Sequence, residues 1–417
     1  MSTSEGDKYS YTPLASPNEF RLVRVHRSSA DCPDDEPLSI EFLAARFDQN
    51  CTYAALSYAW GTDRVSIDIE VKGTRSQKLR ITKSLADALR SLRKCHHSVL
   101  WIDALCIDQR NVEEKNIQVG RMAELYRRAS CVVIWLGEAS DDSDLAIEFM
   151  RNISTKDGDV LAEDRKVSKS WAALANLMRR SWFTRRWVVQ EVAFARQAVL
   201  RCGTAMVSWT RFCEAVSLFT ERLDEIDVPE EVPSDSSTFD MRDMVQALGF
   251  IPAALLSPPF APSVGASRFG TVEVMAAELS FSPFGQVRGV GAHALIAIYD
   301  RVLPHERDDQ EPHRLCTMET LLYYLPSFQV TDKRDVVFAL ASLAKDYSQF
   351  TPDYGQSVAQ VYKNAVQQAV TTSGSLNIFC RPWAQSSAGL PSWIMTVFDL
   401  PFKPNRKGNT FDNMQIP

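Results

Sequence analysis

CVVIWLG, residues 131 to 137, is apolar from end to end, rich in β-branched side chains, and closes on a glycine. A run of this length that offers no polar face reads as a strand covered on both sides, which is the condition of a parallel sheet buried between helices. Two further runs have the same character: YAALSY (53 to 58), which ends at the turn signal Trp60-Gly61, and SVLWID (98 to 103). The segments between them carry helical periodicity. ITKSLADALRSLRKC sets Leu85, Ala88, Leu89 and Leu92 on one face, with Ser84 and Asp87 spaced as a capping box. Asn111 and Glu114 repeat that spacing ahead of a helix that aligns Val119, Met122, Ala123 and Tyr126. Apolar strands alternating with amphipathic helices predict an α/β fold with a parallel sheet flanked by helices.

The remaining segments extend that core. EFRLVRV (19 to 25) alternates as a strand does, and SIDIEV (66 to 71) with QKLRIT (77 to 82) reads as an inserted hairpin. Residues 143 to 180 read as helical, with Trp171, Leu174 and Leu177 as the buried stripe. AVLRCG (198 to 203) reads as a further strand, and SWTRFCEAVSLFTERL (208 to 223) as a helix. Four regions are expected: a disordered N-terminus over 1–17, the α/β domain over 18–225, a linker or exposed loop over 226–240, and a mainly helical C-terminal region over 241–417. The linker assignment rests on IDVPEEVPSDSSTFD, which is acidic and contains Pro and Ser. The last region includes Pro-rich breaks such as LLSPPFAPSVG (255 to 265) and a closing helix near 356 to 372.

Composition narrows the function. A net charge of -6 argues against a phosphate-tracking surface, so no nucleic-acid partner is expected. The polar first twenty residues hold no signal-peptide core, and no later apolar run reaches bilayer length, so a cytoplasmic protein without a membrane span is expected. The nine cysteines are odd in number and lie singly, which fits reduced thiols, and Cys95, His96 and His97 cannot all turn to one ion from a helix end. No metal is therefore expected. GVGAHA (289 to 294) mimics a dinucleotide fingerprint, but no buried strand precedes it. A P-loop, a G-x-S-x-G elbow and an H-E-x-x-H pair are all missing.

Three stretches carry the candidate chemistry: YAALSYAWG, VLWIDALCIDQ and RRWVVQE. Ligands of parallel sheets collect beyond the carboxyl ends of the strands, where Ser57, Tyr58, Trp60 and Asp103 fall. The ordinary reading of Trp60 and Trp101 is core packing, while Asp103 is equally suited to a ligand and to the loop amides beside it. In SWFTRRWVVQEVAFAR (181 to 196), Trp187, Gln190, Glu191 and Phe194 share a helix face. A carboxylate on so apolar a face needs a base such as Arg185 or Arg186, a hydrogen bond, or the wall of a cleft that raises its pKa.

In this order and spacing, YAALSYAWG, LWIDALCIDQ and RRWVVQEVAFAR resemble the fungal heterokaryon incompatibility (HET) domain, from about residue 50 to 203. Weaker likeness continues in TDKRDVVFALASL (331 to 343), TPDYGQSVAQVY (351 to 362) and LPSWI (390 to 394). The resemblance implies a role in nonself recognition that ends in programmed cell death. The HET domain is in turn similar to the TIR domain, a flavodoxin-like parallel sheet, some members of which hydrolyse NAD. TIR enzymes carry a catalytic glutamate in a Trp-Cys-x-x-Glu motif. Trp187 and Glu191 keep that separation, with Val188 at the cysteine position and residues 138–180 where TIR domains have a short connection.

The resemblance implies Glu191 as catalytic carboxylate, NAD as the substrate, and no required cofactor. Tyr58 or Trp60 would stack on a base, and Ser57 and Asp103 would hold hydroxyls. It leaves open a homo-oligomer and an activating protein partner. It also leaves open two other accounts: a non-enzymatic, self-associating signalling module on the same fold, or a degenerate member without killing activity.

Overall fold

The computed structural model describes residues 8–26, 37–61, 65–73, 76–93, 99–140, 142–153, 165–221, 292, 295, 296, 317–325, 328–347, 350–376 and 378. Its centre is the pair of strands that the sequence marks as two-faced: β3 (Ala54–Tyr58) and β7 (Cys131–Trp135) are buried at every position and run parallel, with Ser57 beside Ile134. On one side of them β6 (Val99–Trp101) joins β3 in parallel, and on the other β8 (Ala198–Cys202) joins β7 in parallel. These four parallel strands lie in the spatial order second, first, third, fourth, which begins the flavodoxin-like order.

The full sheet is mixed. β1 (Glu19–Val25) runs antiparallel to both β6 and β2 (Ser39–Arg46), and β4 (Ser66–Val71) pairs with β2 and with β5 (Gln77–Thr82) as the expected hairpin. β9 (Ala205–Ser208) folds back on β8, completing nine strands among the described residues. The α/β expectation holds, with antiparallel additions at both sides of the parallel core. β2 and β9 were not anticipated.

Helices supply the crossovers. α1 (Lys83–Leu92) follows β5 without a loop and buries Leu85, Ala88, Leu89 and Leu92. Its cap differs from the expected one. Thr82, the last extended residue, accepts the Leu85 amide, while Ser84 donates to the Ala59 carbonyl and Asp87 pairs with Lys83 and Arg90. Because β5 runs straight into the helix, the cap falls on the residue where the backbone changes conformation.

α2 (Asp103–Cys106), α3 (Val112–Gly120) and α4 (Met122–Arg128) connect β6 to β7, and Asn111 caps α3 through the Glu114 amide as its spacing suggested. The Glu114 side chain is otherwise engaged: it meets the buried Arg21 at 2.5 Å. α5 (Ser143–Asn152) and α6 (Arg165–Met178) precede α7 (Val188–Ala193), and α8 (Trp209–Glu221) follows β9.

C-terminal elements belong to the same compact unit. Met1–Val228 and Arg288–Arg381 group together, whereas Pro229–Val287 and Pro382–Pro417 form a second unit that lies outside the described residues. Within the first, α9 (Met318–Tyr324), α10 (Asp335–Ala341) and α11 (Val358–Ser373) are helical as expected, and α11 ends on Gly374 at φ +64°, a left-handed cap.

Residues 8–17, expected to be disordered, are held by side chains. Tyr9 stacks on Phe42 at 4.9 Å, Tyr11 donates to the Leu105 carbonyl at 2.9 Å, and the Tyr9 amide donates to the carbonyl of Lys78 on β5. The linker over 226–240, the Cys95, His96 and His97 group, LLSPPFAPSVG and LPSWI lie outside the described residues, as does nearly all of GVGAHA. Cys51, Cys106, Cys131, Cys202 and Cys213 are free thiols, and no metal-binding cluster occurs among the described residues. Among the same residues, no helix is long and apolar enough to cross a membrane.

Candidate functional site

β3 delivers Ser57 and Tyr58 to the carboxyl end of the parallel core, and α7 delivers Glu191 to the same place. Ser57 donates its hydroxyl to Glu191 Oε2, and Trp182, from the 3₁₀ turn Ser181–Thr184, donates its indole N–H to Ser57 Oγ at 2.7 Å. Two distant stretches of the chain thus form one buried relay, Trp182 to Ser57 to Glu191. Glu191 is 1% exposed. No arginine or lysine comes within ion-pair distance of it among the described residues.

That environment sets its chemistry. Burial pushes the Glu191 carboxyl up to about 7, opposed by the nearby positive charge of Arg185, reinforced by the negative charge of Asp103, and opposed again by the Ser57 hydrogen bond. The group therefore changes charge near neutrality, which suits a general acid, a base, or an electrostatic partner for a developing cation.

The two arginines expected as its partners work elsewhere. Arg186 is 1% exposed and donates to the carbonyls of Leu325, Phe328 and Val336, while its own amide donates to Gln329. Burial lowers its pKa to about 10. It is thus a stitch between the sequence before α7 and the C-terminal helices. Arg185 donates to the Tyr58 carbonyl and acts on Glu191 only through space.

Trp187 and Phe194, placed by helical spacing on the Glu191 face, meet other elements. Trp187 donates to Asp335 Oδ2 at 3.0 Å, and Phe194 lies 5.2 Å from the Arg127 guanidinium. They sit at the two caps of α7, which is only six residues long.

A second pair stands nearer the surface. Trp60 donates its indole N–H to Asp103 Oδ2 at 3.1 Å. Trp60 is 40% exposed, so its expected burial in the core does not hold, whereas Trp101 is fully buried as expected. The difference follows from position: Trp101 lies within β6, and Trp60 follows the end of β3 beside Gly61, whose φ of +78° turns the chain outward. Asp103 accepts the Ala104 amide at 2.7 Å, so it does bind a loop amide. Burial raises its pKa, with Arg185, the Ala104 N–H and the Trp60 N–H pulling the other way.

The expected residues therefore form two clusters, Ser57 with Glu191, and the buried Asp103 with the exposed Trp60. The Tyr58 ring is buried, and its backbone carbonyl is what takes part, through Arg185. Trp182 was missed. It lies in the same stretch as Glu191, but only the tertiary fold brings its indole to Ser57.

Residues 53–191 match the family model described as heterokaryon incompatibility protein (HET). Heterokaryon incompatibility protein 6, OR allele, of Neurospora crassa is 27% identical over 423 aligned residues, covering 88% of this chain and 54% of the relative. The chain thus spans about half the length of the curated relative it matches. No solved structure matches the chain. Residues 53–191, about a third of the chain, are thus similar to the HET family.

Proposed function

We propose that this protein is a heterokaryon incompatibility effector, acting in nonself recognition that ends in cell death, and that it cleaves the nicotinamide–ribose bond of NAD through Glu191. The family role is supported by the HET match and by the Neurospora relative. The observation that carries the chemical reading is the Glu191 carboxylate at the carboxyl end of β3, hydrogen-bonded to Ser57, paired with no cation among the described residues, and titrating near 7. Further support comes from the strand order, since in flavodoxin-like sheets the ligand crevice opens beside the first strand, here β3.

In the proposed reaction the C1′–N bond of NAD breaks with its electron pair leaving on nicotinamide. Positive charge builds on the ribose, and an ionised carboxylate stabilises it or holds the ribose hydroxyls. Water then adds to C1′ and releases a proton, giving ADP-ribose, nicotinamide and H⁺. Trp60 would stack on a ring at the mouth, with Asp103 and Ser57 binding hydroxyls. Neither metal nor cofactor is required. The assembly is proposed to act in the cytoplasm, with self-association or a protein partner uncovering the enclosed carboxylate.

One observation favours a different reading. Glu191 is enclosed and its hydrogen bond to Ser57 is internal, as in a structural latch, and this suits a non-enzymatic signalling module that works by self-association. Expressing the protein and Glu191→Gln in a fungal host and following NAD content and viability separates them. The enzymatic reading expects NAD loss and death with the first and neither with the second. Death in both with NAD intact would replace it by the scaffold reading.

A further inference from the structure

The opposite end of the parallel core holds a cavity of about 670 Å³, well inside the range of roughly 300–1,000 Å³ common to small-ligand sites. Its wall begins where β3 begins, at Cys51 and Tyr53, and includes Arg127 and Arg128 just ahead of β7 and Arg196 just ahead of β8. The Ser57–Glu191 relay lies at the other ends of these strands. The helix α7 borders both, with Gln190 in the cavity wall and Glu191 in the relay.

Its charge runs against that of the chain. The whole sequence carries a net -6, yet Arg121, Arg127, Arg128 and Arg196 line the cavity with a single carboxylate, Glu124. Glu124 pairs with Arg121 at 2.7 Å and with Arg128 at 2.8 Å, so one negative charge is shared between two guanidinium groups. Arg196 is exposed and has no ion-pair partner among the described residues. A concave surface with this surplus concentrates anions, and the arginine fork matches phosphate and carboxylate geometry.

Aromatic residues stand in the wall among polar ones such as Gln49 and Asn50. Tyr53, Tyr347 and Phe350 contribute rings; the two tyrosines are buried with their hydroxyls on the Leu125 and Ala365 carbonyls, and the half-buried Phe350 is the ring open to the cavity. Gln190 completes the wall. Its Oε1 accepts from Ser342 at 2.7 Å, but its Nε2 is buried with no partner among the described residues, although the residue is only 2% exposed. A buried amide N–H without an acceptor costs stability unless something else satisfies it.

We infer that this cavity binds a nucleotide-class ligand, an aromatic ring bearing phosphates, with the arginines on the phosphates, Phe350 on the ring and Gln190 Nε2 donating to a ring or sugar acceptor. ATP is the probe, with adenosine and inorganic tripolyphosphate as its two halves, titrated calorimetrically into the full chain. ATP is expected to bind more tightly than either half. Arg196→Glu, an exposed position whose change leaves the fold intact, should weaken ATP at least about tenfold. Gln190→Met, which keeps the buried volume and drops the amide, should weaken ATP and adenosine but not tripolyphosphate. Glu191→Gln should leave ATP binding in place, since it belongs to the other end of the sheet. No ATP binding, affinity unchanged in Arg196→Glu, tripolyphosphate equal to ATP, or binding lost in Glu191→Gln would each overturn the assignment.

Discussion

Glu191 carries the sharpest expectation at the level of a single residue. Its carboxyl titrates near 7 in the native protein, against an ordinary value of 4.5, so the folded chain holds the proton more tightly than the unfolded one. Stability from this group is therefore fully present at pH 4 and below, and is lost as pH rises through the window from 4.5 to about 7. Glu191→Gln removes the titration while keeping an acceptor for the Ser57 hydroxyl. Urea midpoints of the two proteins should diverge between pH 4 and 8, with the variant gaining at most about 3 kcal/mol at the alkaline end. Parallel pH profiles would mean that Glu191 is already charged in the native state. Burial also raises Asp335, which titrates alike in the two proteins and cancels in the difference, whereas Asp103 is coupled to Glu191 and its titration moves with the substitution.

Among the elements, the segment entering α7 is fastened most heavily, through Arg186. Truncating it to Ala leaves three buried carbonyls without their donor, at a cost of about 3 kcal/mol or more, and Lys should rescue little because a single ammonium cannot span the three acceptors. Thermal unfolding of Arg186→Ala and Arg186→Lys checks this. A comparable loss, about 3 to 5 kcal/mol, is expected for Glu114→Gln, which leaves the buried Arg21 charge without its carboxylate and with only the Thr12 and Cys106 carbonyls; a shift below about 1 kcal/mol would show that water reaches the pair.

These cases also mark how far the sequence could be read. β3 and β7 were legible because strands covered on both faces leave an unbroken apolar run, and the Asn111 cap because capping is local. β2 was not legible: SIEFLAAR has only two buried positions, and its strand state comes from pairing with β1 over the length of that strand. For the site, Glu191, Ser57, Trp60 and Asp103 could be nominated from strand ends and a helix face. Their sorting into two clusters, the turn of Arg186 toward the C-terminal helices and the arrival of Trp182 all depend on contacts between segments distant in the chain.

On the scale of the whole molecule, residues 53–191 do not stand apart from the C-terminal helices. Arg186, Trp187 and Gln190 each spend a side-chain hydrogen bond on residues between Leu325 and Ser342, from just before α7 and within it. A chain ended at residue 225 should therefore lose cooperative unfolding, or unfold at markedly lower urea, as read by tryptophan fluorescence; a sharp, unshifted transition would show that residues 18–225 fold independently.

The sheet edges bear on how copies of the chain can meet. On one side the Tyr9 amide already occupies the Lys78 carbonyl of β5, and that strand carries Lys78 and Arg80; on the other, β9 is four residues long. Short, charged or covered edges discourage strand-to-strand addition. An assembly of this protein that recruits further copies would thus have to grow by docking side-chain surfaces, with a saturable, salt-sensitive contact, rather than by templating a cross-β filament.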